Sequence, residues 1–391
     1  MRTQVGIVGA GPAGLTLAHL LHLSGIESVV LESRSREYCQ ERVRAGVLEQ
    51  TTVDLLNEMG VGERMRREGL VHYGVNLRFQ GRTHRIDFAQ LTGGRGITIY
   101  AQAEVIKDLI EARLSAGGPL VFEAEHVSVR DLESAQPRIL FQKQGEQNEL
   151  ICDFVAGCDG FHGICRPSIP AAALTVYERD YPFGWLGILA QAPPSSEELI
   201  YAYHSRGFAL LSMRSPQVSR LYIQCKPDED IRLWPDEKIW KELQIRLASD
   251  EGWKLVEGPV VQKNVTKMHS FVAEPMQYGR LFLAGDAAHI VPPTGAKGLN
   301  LAVADVRVLA RAIAEFYRSG GKELLEKYSE SCLGRVWRAQ RFSWWMTSIL
   351  HRFEHDSAFD QRRQLAELEY ATSSRAASQS LAENYVGFPM D

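Results

Sequence analysis

Short apolar runs alternate with amphipathic segments over about the first 72 residues. Residues 4–8 and 29–31 are mostly apolar and typical of buried parallel strands, while residues 15–23 between them carry apolar positions at helical spacing. The second run ends in Glu32. This order of strand, helix and strand predicts an α/β layer built on a parallel sheet.

Farther along, the spacing of apolar positions becomes strand-like and finally helical. The segments that carry these patterns are a hairpin at 73–88 around Gly81, a helix at 104–115, strands at 120–132, 138–142 and 150–155, a mostly β region from about 176 to 288 with a helix at 236–247, and helices from Leu299 onward. We therefore predict a nucleotide-binding domain at 1–175, a β-rich domain at 176–290, and a helical region at 291–391 that is either a capping layer or an oligomer interface.

The composition narrows the class of protein. A chain of 391 residues is too long for one compact core. A net charge of −4 argues against a nucleic-acid partner, and no apolar stretch is long enough to cross a membrane. The six cysteines form no CxxC pair and lack zinc-ligand spacing, so we expect reduced thiols, no metal and a cytoplasmic location.

A glycine-rich segment joins the first strand to the first helix. Gly9 permits a tight turn, Gly11 lets the backbone approach a pyrophosphate, and Gly14 lets the helix pack closely on the strand. Glu32, at the end of the next strand, can accept hydrogen bonds from ribose hydroxyls. A turn without a ligand is the alternative, and the register of strand, helix and Glu32 disfavours it. The motif does not distinguish FAD from NAD(P).

A second polar pattern lies on two predicted strands at 207–214 and 219–225. Side chains two residues apart share a face of a strand. If Arg214 pairs with Arg220, the even-numbered polar residues Ser212, Arg214, Arg220 and Tyr222 lie on one side, and Leu211, Met213, Leu221 and Ile223 form an apolar side. On the pattern alone, a sheet with one solvated face is the preferred interpretation.

Longer motifs resemble one family from end to end. They are residues 42–50 (RVRAGVLEQ), 157–163 (GCDGFHG), 181–187 (YPFGWLG), 283–301 with GDAAHIVPPTGAKGLNLA, and 341–350 (RFSWWMTSIL). The chain resembles the 4-hydroxybenzoate 3-monooxygenases. The resemblance implies a Rossmann-like FAD-binding domain, a β-sheet substrate domain and a helical C-terminal region. It also implies a homodimer that uses FAD, O2 and NADPH to make 3,4-dihydroxybenzoate through a flavin C4a-hydroperoxide.

The resemblance also assigns cofactor residues. Asp286 would hold the flavin ribityl chain, and backbone N–H groups of Leu299 and Asn300 would face the flavin ring. Ala13 occupies a phosphate-turn position where Ser is common. Further FAD contacts would come from Arg44, Val47, Gln102 and Asp159. Positions implicated in binding the nicotinamide cofactor are Tyr38, Arg42, Arg44, His162, Arg166 and His269, the last standing where Arg is usual. Residues 33–41 also depart from the family pattern, so NADPH is favoured and NADH remains open.

Substrate residues follow from the same resemblance. Ser212, Arg214 and Tyr222 would bind the substrate carboxylate, with Met213 and Arg220 beside them. At the phenol end, Tyr201 would hydrogen-bond the substrate oxygen and Tyr385 would hydrogen-bond Tyr201. His72, with an ordinary pKa near ~6.5, would be the outlet of this proton relay to water. Pro293 would offer its carbonyl to the substrate hydroxyl.

Three other functions remain open at this point. A relative that acts on another phenolic acid would keep the flavin site but change the residues around the ring. A flavoprotein that depends on a separate reductase would not oxidise NAD(P)H alone. A flavin-binding sensor would need neither the relay nor the carboxylate site, both of which the motifs retain.

Overall fold

The computed structural model describes residues 1–42 and 46–389. The twenty strands among them are β1 Val5–Val8, β2 Ser28–Leu31, β3 Val47–Glu49, β4 Leu70–His72, β5 Gly74–Phe79, β6 Arg82–Asp87, β7 Ile97–Ile99, β8 Leu120–Val121, β9 Glu125–Arg130, β10 Arg138–Lys143, β11 Glu146–Ile151, β12 Phe154–Gly157, β13 Thr175–Ala190, β14 Ile200–Ala202, β15 Ala209–Ser215, β16 Val218–Cys225, β17 Val260–Glu274, β18 Gln277–Tyr278, β19 Leu281–Leu283 and β20 His289–Ile290.

The α-helices of the described residues are α1 Pro12–Leu23, α2 Arg36–Glu41, α3 Gln50–Glu58, α4 Glu63–Glu68, α5 Phe88–Thr92, α6 Gln102–Ser115, α7 Asp236–Arg246, α8 Gly298–Ser319, α9 Glu323–Glu326, α10 Tyr328–Leu350, α11 Ala358–Ser373 and α12 Arg375–Val386. Within this part of the chain, none of them has the length and apolar character needed to traverse a lipid bilayer.

A six-stranded sheet forms the centre of the predicted α/β layer. Its strand order is β18-β19-β12-β1-β2-β8, and β1 lies parallel to both β2 and β12. All four residues of β1 are buried because helices cover the sheet, which explains why this strand is apolar without alternation. The strands predicted at 4–8 and 29–31 and the first helix are confirmed.

An eight-stranded sheet forms the second layer, in the order β20-β17-β13-β16-β15-β14-β5-β6. The predicted hairpin at 73–88 is confirmed as β5 and β6, but it belongs to this sheet, because β5 pairs in parallel with β14. Conversely, β18 and β19 return to the six-stranded sheet. Membership of the two sheets therefore does not follow the predicted boundaries at 175 and 290.

Two predicted strands are each divided in the structure. The strand predicted at 120–132 is split into β8 and β9, and the one predicted at 150–155 ends as β11 at Ile151 and resumes as β12 at Phe154. The backbone N–H groups of Asp153 and Phe154 both donate to the Gln4 carbonyl, which redirects the chain from a three-stranded sheet to β1. Continuous apolar character hid this change of partner.

The helical C-terminal region is divided between the two sheets: α8 packs with the six-stranded sheet, and the end of α10, α11 and α12 pack on the eight-stranded sheet. Buried side chains of α10 and α12, including Phe342, Leu381 and Tyr385, pack in one cluster with Tyr201 and Leu210 from the sheet. This packing brings Tyr385, a residue near the end of the chain, to the eight-stranded sheet.

Candidate active site

The glycine turn places each glycine as its predicted role requires. Gly9 has φ +106°, and a Cβ there would lie 2.3 Å from the Cys158 carbonyl oxygen. A Cβ on Gly14 would lie 1.9 Å from the Gly9 carbonyl oxygen, so the helix packs directly on the turn. A Cβ on Gly11 would meet nothing within 4 Å. The turn is therefore closed on two sides and open at Gly11.

The open side coincides with the start of α1. Gly11 is the N-cap residue of this helix and no side chain caps it, so N–H groups of the first turn are available to a ligand. Pro12 and Ala13 begin the helix, and Ala13 is buried. Free N–H groups and the positive end of the helix dipole form an anion site that suits a pyrophosphate.

Glu32 is fixed at the end of β2 by the same turn. Its Oε2 accepts the Ala10 N–H at 2.8 Å, and its Oε1 accepts the Arg34 N–H at 2.9 Å. Each carboxylate oxygen keeps further acceptor capacity. Glu32 is thus oriented where a ribose could donate to it.

Asp159 follows β12, next to the strand that carries the turn. Its Oδ2 accepts the Cys165 N–H at 2.9 Å, while its Oδ1 is buried and has no partner among the described residues. Burial raises the pKa of this carboxyl group. A buried acceptor without a partner is costly unless a ligand donates to it. Together with the open face at Gly11, this atom fits a bound FAD.

The turn at Gly285 and Asp286, where the resemblance places the flavin, is held by a buried ion pair. Asp305 Oδ2 accepts both the Gly285 N–H, at 3.0 Å, and His289 Nε2, at 2.6 Å. Burial opposes the charged imidazole, but the Asp305 carboxylate outweighs it and raises the pKa of His289 above its ordinary value. Gly285 has φ +63°, and the neighbouring Asp286 is exposed. The pair therefore fixes the turn and leaves Asp286 accessible to a ribityl chain.

The start of α8 lies against β3. The Asn300 side chain donates to the carbonyls of Val47 at 3.0 Å and Ala296 at 2.9 Å, and accepts from the Glu49 N–H at 2.9 Å and the Thr52 hydroxyl at 2.8 Å. No side chain caps this helix, so the backbone N–H groups of Leu299 and Asn300 belong to an uncapped first turn. Gln102 similarly opens α6 and is half-buried.

The residues predicted to bind the nicotinamide cofactor fall in two places. On α2 and just after it, the exposed Tyr38 ring lies under two guanidinium groups, those of Arg34 at 5.3 Å and Arg42 at 5.8 Å. Arg44 lies outside the described residues. This cationic and aromatic surface has the character that a phosphate or an adenine ring would contact.

The second place surrounds Phe161. Arg166 donates to the carbonyls of Ala287 at 3.0 Å and Phe161 at 2.7 Å, so its guanidinium also ties this loop to the turn at Gly285 and Asp286. His162 is exposed. His269 Nδ1 lies 2.7 Å from Asp180 Oδ1, while its Nε2 has no partner among the described residues.

The register of the substrate strands differs from the predicted one. Ser212 lies opposite Arg220 and Leu210 opposite Tyr222, so the assumed pairing of Arg214 with Arg220 is wrong. A β-bulge between Met213 and Ser215 adds one residue at Arg214 and shifts the register. Ser212, Arg220 and Tyr222 still share one face.

The bulge also changes the surroundings of Met213. Leu211, Leu221 and Ile223 pack together in one apolar cluster, as predicted, but Met213 packs in the cluster that contains Tyr201 and Tyr385. The predicted apolar face is therefore wrong at this position. Met213 instead lines the side that carries the candidate substrate residues.

The polar face concentrates positive charge. Arg220 is buried, its Nε donates to the Tyr222 hydroxyl at 3.2 Å, and its Nη1 has no partner among the described residues. Burial lowers the pKa of Arg214, and Arg220 also opposes its charge while Tyr222 favours it. An anionic ligand would stabilise these guanidinium groups, and a carboxylate can accept two parallel hydrogen bonds from one of them.

The two relay tyrosines are in direct contact. The hydroxyl oxygens of Tyr201, on β14, and Tyr385, on α12, lie 2.6 Å apart, and both side chains are buried. Burial raises the pKa of each hydroxyl above its ordinary value. Both groups therefore stay protonated near neutrality and can pass a proton along their hydrogen bond.

His72 differs from the prediction. It is buried on β4, neither ring nitrogen has a partner among the described residues, and burial lowers its pKa to about 4. The expected ordinary pKa is wrong because the imidazole lies inside the protein. Pro293 is exposed, and its carbonyl accepts the Ala296 N–H at 2.9 Å, which leaves one lone pair available.

A buried ion pair beside the relay was not predicted. Lys297 Nζ lies 2.6 Å from Glu49 Oε1, and it also donates to the carbonyls of Asn384 and Tyr385. Burial lowers the pKa of Lys297, although Glu49 favours its charge. The pair ties β3, the start of α8 and the segment of Tyr385 together. A lysine inside the glycine-rich residues 295–298 was the available signal.

Comparison with known proteins places this arrangement in a family. A family model described as an FAD binding domain matches residues 2–343. The p-hydroxybenzoate hydroxylase of Acinetobacter baylyi (strain ATCC 33305 / BD413 / ADP1) is 50% identical over 391 residues, which cover 100% of this chain and 96% of that protein. A 3-(3-hydroxy-phenyl)propionate/3-hydroxycinnamic acid hydroxylase of Mycobacterium sp. (strain JLS) is 27% identical, covering 83% of this chain and 56% of that protein.

Solved structures agree on the fold. p-Nitrophenol 4-monooxygenase from Pseudomonas putida DLL-E4 matches with a TM-score of 0.83 over 99% of both chains, at 20% identity. Aklavinone-11 hydroxylase, solved with FAD and aklavinone, matches with a TM-score of 0.74 over 89% of this chain and 69% of that chain, at 22% identity. The predicted resemblance and fold class are confirmed.

Proposed function

The chain belongs to the family of FAD-dependent aromatic hydroxylases that includes p-hydroxybenzoate hydroxylase, and from this we propose that it converts 4-hydroxybenzoate into 3,4-dihydroxybenzoate. The co-substrates are O2 and a reduced nicotinamide cofactor. FAD, when bound, supplies the chemistry that activates oxygen. The residues of this chain bind the flavin, orient the substrate, exclude water and move the phenol proton.

The observation that carries the proposal is the buried pair of tyrosine hydroxyls, 2.6 Å apart. A phenol must lose its proton to become an electron-rich ring, and it needs an acceptor inside a site that excludes water. Tyr201 accepts the substrate proton as it passes its own to Tyr385, so neither tyrosine becomes a free anion in its apolar surroundings. The raised pKa values of the two tyrosines suit such a relay. A tyrosine that ionised easily would keep the negative charge and stop the proton transfer.

The relay continues from Tyr385 toward His72. His72 enters the proposal as a neutral imidazole, since burial lowers its pKa to about 4. A neutral imidazole can accept a proton on one nitrogen and donate from the other, which suits a transfer group more than a store of charge. The free lone pair of the Pro293 carbonyl is available to the substrate hydroxyl while the proton moves.

The carboxylate end sets the direction of the ring. Ser212, Arg214 and Tyr222 bind the carboxylate. Arg220 supports this assignment because it shares a face with Ser212 and Tyr222, and Met213 packs in the cluster of Tyr201. A planar guanidinium holds a carboxylate with two parallel hydrogen bonds. The substrate therefore cannot bind with its carboxylate and phenol ends exchanged. The phenol then points toward Tyr201, which lies on the same sheet.

The nicotinamide cofactor is proposed to bind at Tyr38, Arg42, Arg44, His162, Arg166 and His269, with NADPH favoured over NADH. Arg34 and Arg42 beside Tyr38 support recognition of a phosphate. Glu37 and Glu41 on the same helix oppose it, so NADH use stays an alternative. A homodimer is part of the proposal and is measured by analytical ultracentrifugation.

The test follows oxidation of NADPH and NADH by the purified protein loaded with FAD, with and without 4-hydroxybenzoate, and identifies the product by chromatography. Oxidation that the substrate stimulates and that yields 3,4-dihydroxybenzoate is the expected result. If only a different phenolic acid stimulates oxidation of the nicotinamide cofactor, that acid replaces 4-hydroxybenzoate as the proposed substrate. No oxidation of either nicotinamide would indicate a separate reductase.

A further inference from the structure

A buried histidine at the end of α10 lies under the substrate face. His351 is fully buried, and its ring stacks on Phe183 at 4.6 Å and Phe208 at 4.3 Å. Its Nδ1 lies 3.0 Å from the Thr347 carbonyl, and its Nε2 lies 2.7 Å from Nε1 of Trp185. No part of the proposed reaction uses this residue.

The direction of both hydrogen bonds follows from chemistry alone. A carbonyl only accepts, so His351 must carry its proton on Nδ1. An indole N–H only donates, so Nε2 must accept from Trp185 and cannot be protonated. Burial lowers the pKa of His351 to about 3, which agrees with this neutral tautomer. His351 is therefore a fixed acceptor for the Trp185 indole over the whole working pH range.

The indole in turn contacts the carboxylate-binding residues. The rings of Trp185 and Tyr222 are 4.8 Å apart, and the Tyr222 hydroxyl accepts from Arg220 on its other side. Trp185 and Gly187 lie on β13, where Gly187 is directly opposite Tyr222. A Cβ on Gly187 would lie 2.9 Å from Nη2 of Arg220, so the glycine leaves the space that Arg220 occupies.

The end of α10 is also hydrogen-bonded to β16, the strand that carries Tyr222. The Gln224 side chain accepts the Arg352 N–H at 3.0 Å and donates to the Arg352 carbonyl at 2.5 Å. Gln364 donates to the His351 carbonyl at 2.6 Å. Gln224 lies two residues beyond Tyr222 on β16, so the helical cap and the substrate strand form one rigid unit here.

We propose that His351 is a positioning residue for the substrate carboxylate, because its Nε2 fixes the Trp185 indole and the indole fixes Tyr222. This inference rests on the proposed function. Without the acceptor, the indole N–H would be left unsatisfied in an apolar core, and the ring would turn to find another partner. Tyr222 would then lose one wall of its pocket.

The test compares His351→Leu, which removes the acceptor, with His351→Gln, whose amide oxygen can reach the position of Nε2. We expect His351→Leu to raise the KM for 4-hydroxybenzoate about tenfold, the order of one buried hydrogen bond. The kcat and the KM for the nicotinamide cofactor should change less than about twofold, and His351→Gln should restore most of the loss. Trp185→Phe removes the donor and should resemble His351→Leu.

A matched control separates positioning from general loss of stability. Tyr328→Phe removes another buried hydrogen bond, from the Tyr328 hydroxyl to the Leu283 carbonyl at 2.7 Å, in the core of the other sheet. It should lower the Tm by a similar amount without raising the substrate KM. Equal KM increases in Tyr328→Phe and His351→Leu, or no difference between His351→Leu and His351→Gln, would overturn the inference.

A second measurement does not depend on turnover. The indole ¹⁵N–¹H resonance of Trp185, assigned by its loss in Trp185→Phe, should lie downfield and move upfield in His351→Leu. If the wild-type protein neither binds nor converts 4-hydroxybenzoate while this resonance moves, the proposed function fails and the hydrogen bond stands. A resonance that does not move refutes the role of His351 for any substrate.

Discussion

The glycine turn at the start of α1 and the proposed substrate face are built in opposite ways. The proposed substrate face carries Ser212, Arg214, Arg220, Tyr222, Tyr201 and Tyr385. The turn uses six consecutive residues, from Gly9 to Gly14, and its shape depends on backbone atoms that approach one another closely. The face uses side chains from three strands and one helix, from Tyr201 to Tyr385 along the chain. The function of the turn depends on the absence of Cβ atoms, which lets backbone atoms approach closely. The function of the face depends on the polar groups of its side chains.

This difference separates two kinds of damage. A substitution at the closed positions of the turn, Gly9 or Gly14, acts through sterics on a rigid backbone and should affect folding and cofactor retention together. A substitution in the face changes one polar group and should leave the fold while changing binding or coupling. The variants below test that separation, beginning with the largest expected effect.

The largest effect should come from Gly14→Ala. The new methyl would lie 1.9 Å from the Gly9 carbonyl oxygen and 3.2 Å from Ile7, and neither can withdraw without moving β1. We expect a loss of about 3 kcal/mol or more of stability, with little FAD retained. Gly11→Ala is the matched control, since its Cβ meets no protein atom.

Gly11→Ala should leave the apoprotein within about 0.5 kcal/mol of wild type but weaken FAD, because its methyl enters the space for the pyrophosphate. Thermal unfolding of the apoproteins and fluorescence titration with FAD measure the two effects. A stable Gly14→Ala protein that retains FAD would contradict the steric account of the turn.

On the substrate face, Tyr201→Phe should give the largest effect. It removes the acceptor for the phenol proton, so hydroxylation should slow by about 10² or more while the nicotinamide cofactor is still oxidised. The ratio of product to cofactor consumed, with hydrogen peroxide measured in parallel, reports the loss of coupling. Tyr385→Phe keeps the Tyr201 hydroxyl and should uncouple less completely. Full coupling in Tyr201→Phe would rule out the relay.

Arg214→Lys should have a smaller effect, confined to substrate binding. A point charge replaces a planar fork, and a hydrogen bond to a charged group is worth roughly 1.5–3 kcal/mol, so the substrate KM should rise about 10- to 100-fold. The KM for the nicotinamide cofactor should stay constant. Arg232→Lys, an exposed change away from the sheet, serves as control. An unchanged substrate KM in Arg214→Lys would contradict the proposal that Arg214 binds the substrate carboxylate.

The smallest effect concerns pH. His72 is neutral in the folded protein down to a pKa of about 4, whereas in the unfolded chain it binds a proton near pH 6.5. Stability is therefore lost as pH falls through this window, by about 1.4 kcal/mol at pH 5.5. His72→Asn should remove the part of the pH dependence that comes from His72. The part that comes from His351 should remain, because burial also lowers the pKa of His351, to about 3. Identical pH slopes of denaturant unfolding in wild type and His72→Asn would contradict the burial of His72.

Features set by neighbouring residues were predictable from the sequence. The roles of Gly9 and Gly14 follow from local backbone geometry, and the hairpin at 73–88 follows from alternation around Gly81. The shared face of Ser212, Arg220 and Tyr222 was also predicted, because the observed register differs from the assumed one by two residues, and a shift by an even number keeps each side chain on its face.

Features that depend on residues far apart in the sequence were not predictable from it. The division of residues 150–155 arises because Phe154 pairs with β1, far away in the sequence. The bulge at Arg214 lies between consecutive strands, and it was missed because alternation of polar and apolar positions does not mark an added residue. Burial of His72 and the ion pair of Lys297 with Glu49 depend on elements that only the folded chain brings together. The nicotinamide site stays a prediction.

The exchange of strands between the two sheets has a consequence for how this chain folds. β5 can complete its sheet only after β14 arrives, and β12 only after β19 arrives, although each pair is far apart in sequence. Pairings of this kind form slowly, because the entropy of closing a long loop is lost before the contacts compensate for it. During that interval the unpaired edges of β5 and β12 are exposed to other chains. The yield of active protein in a cell should therefore depend on temperature and chaperones more than the final stability of the enzyme would suggest.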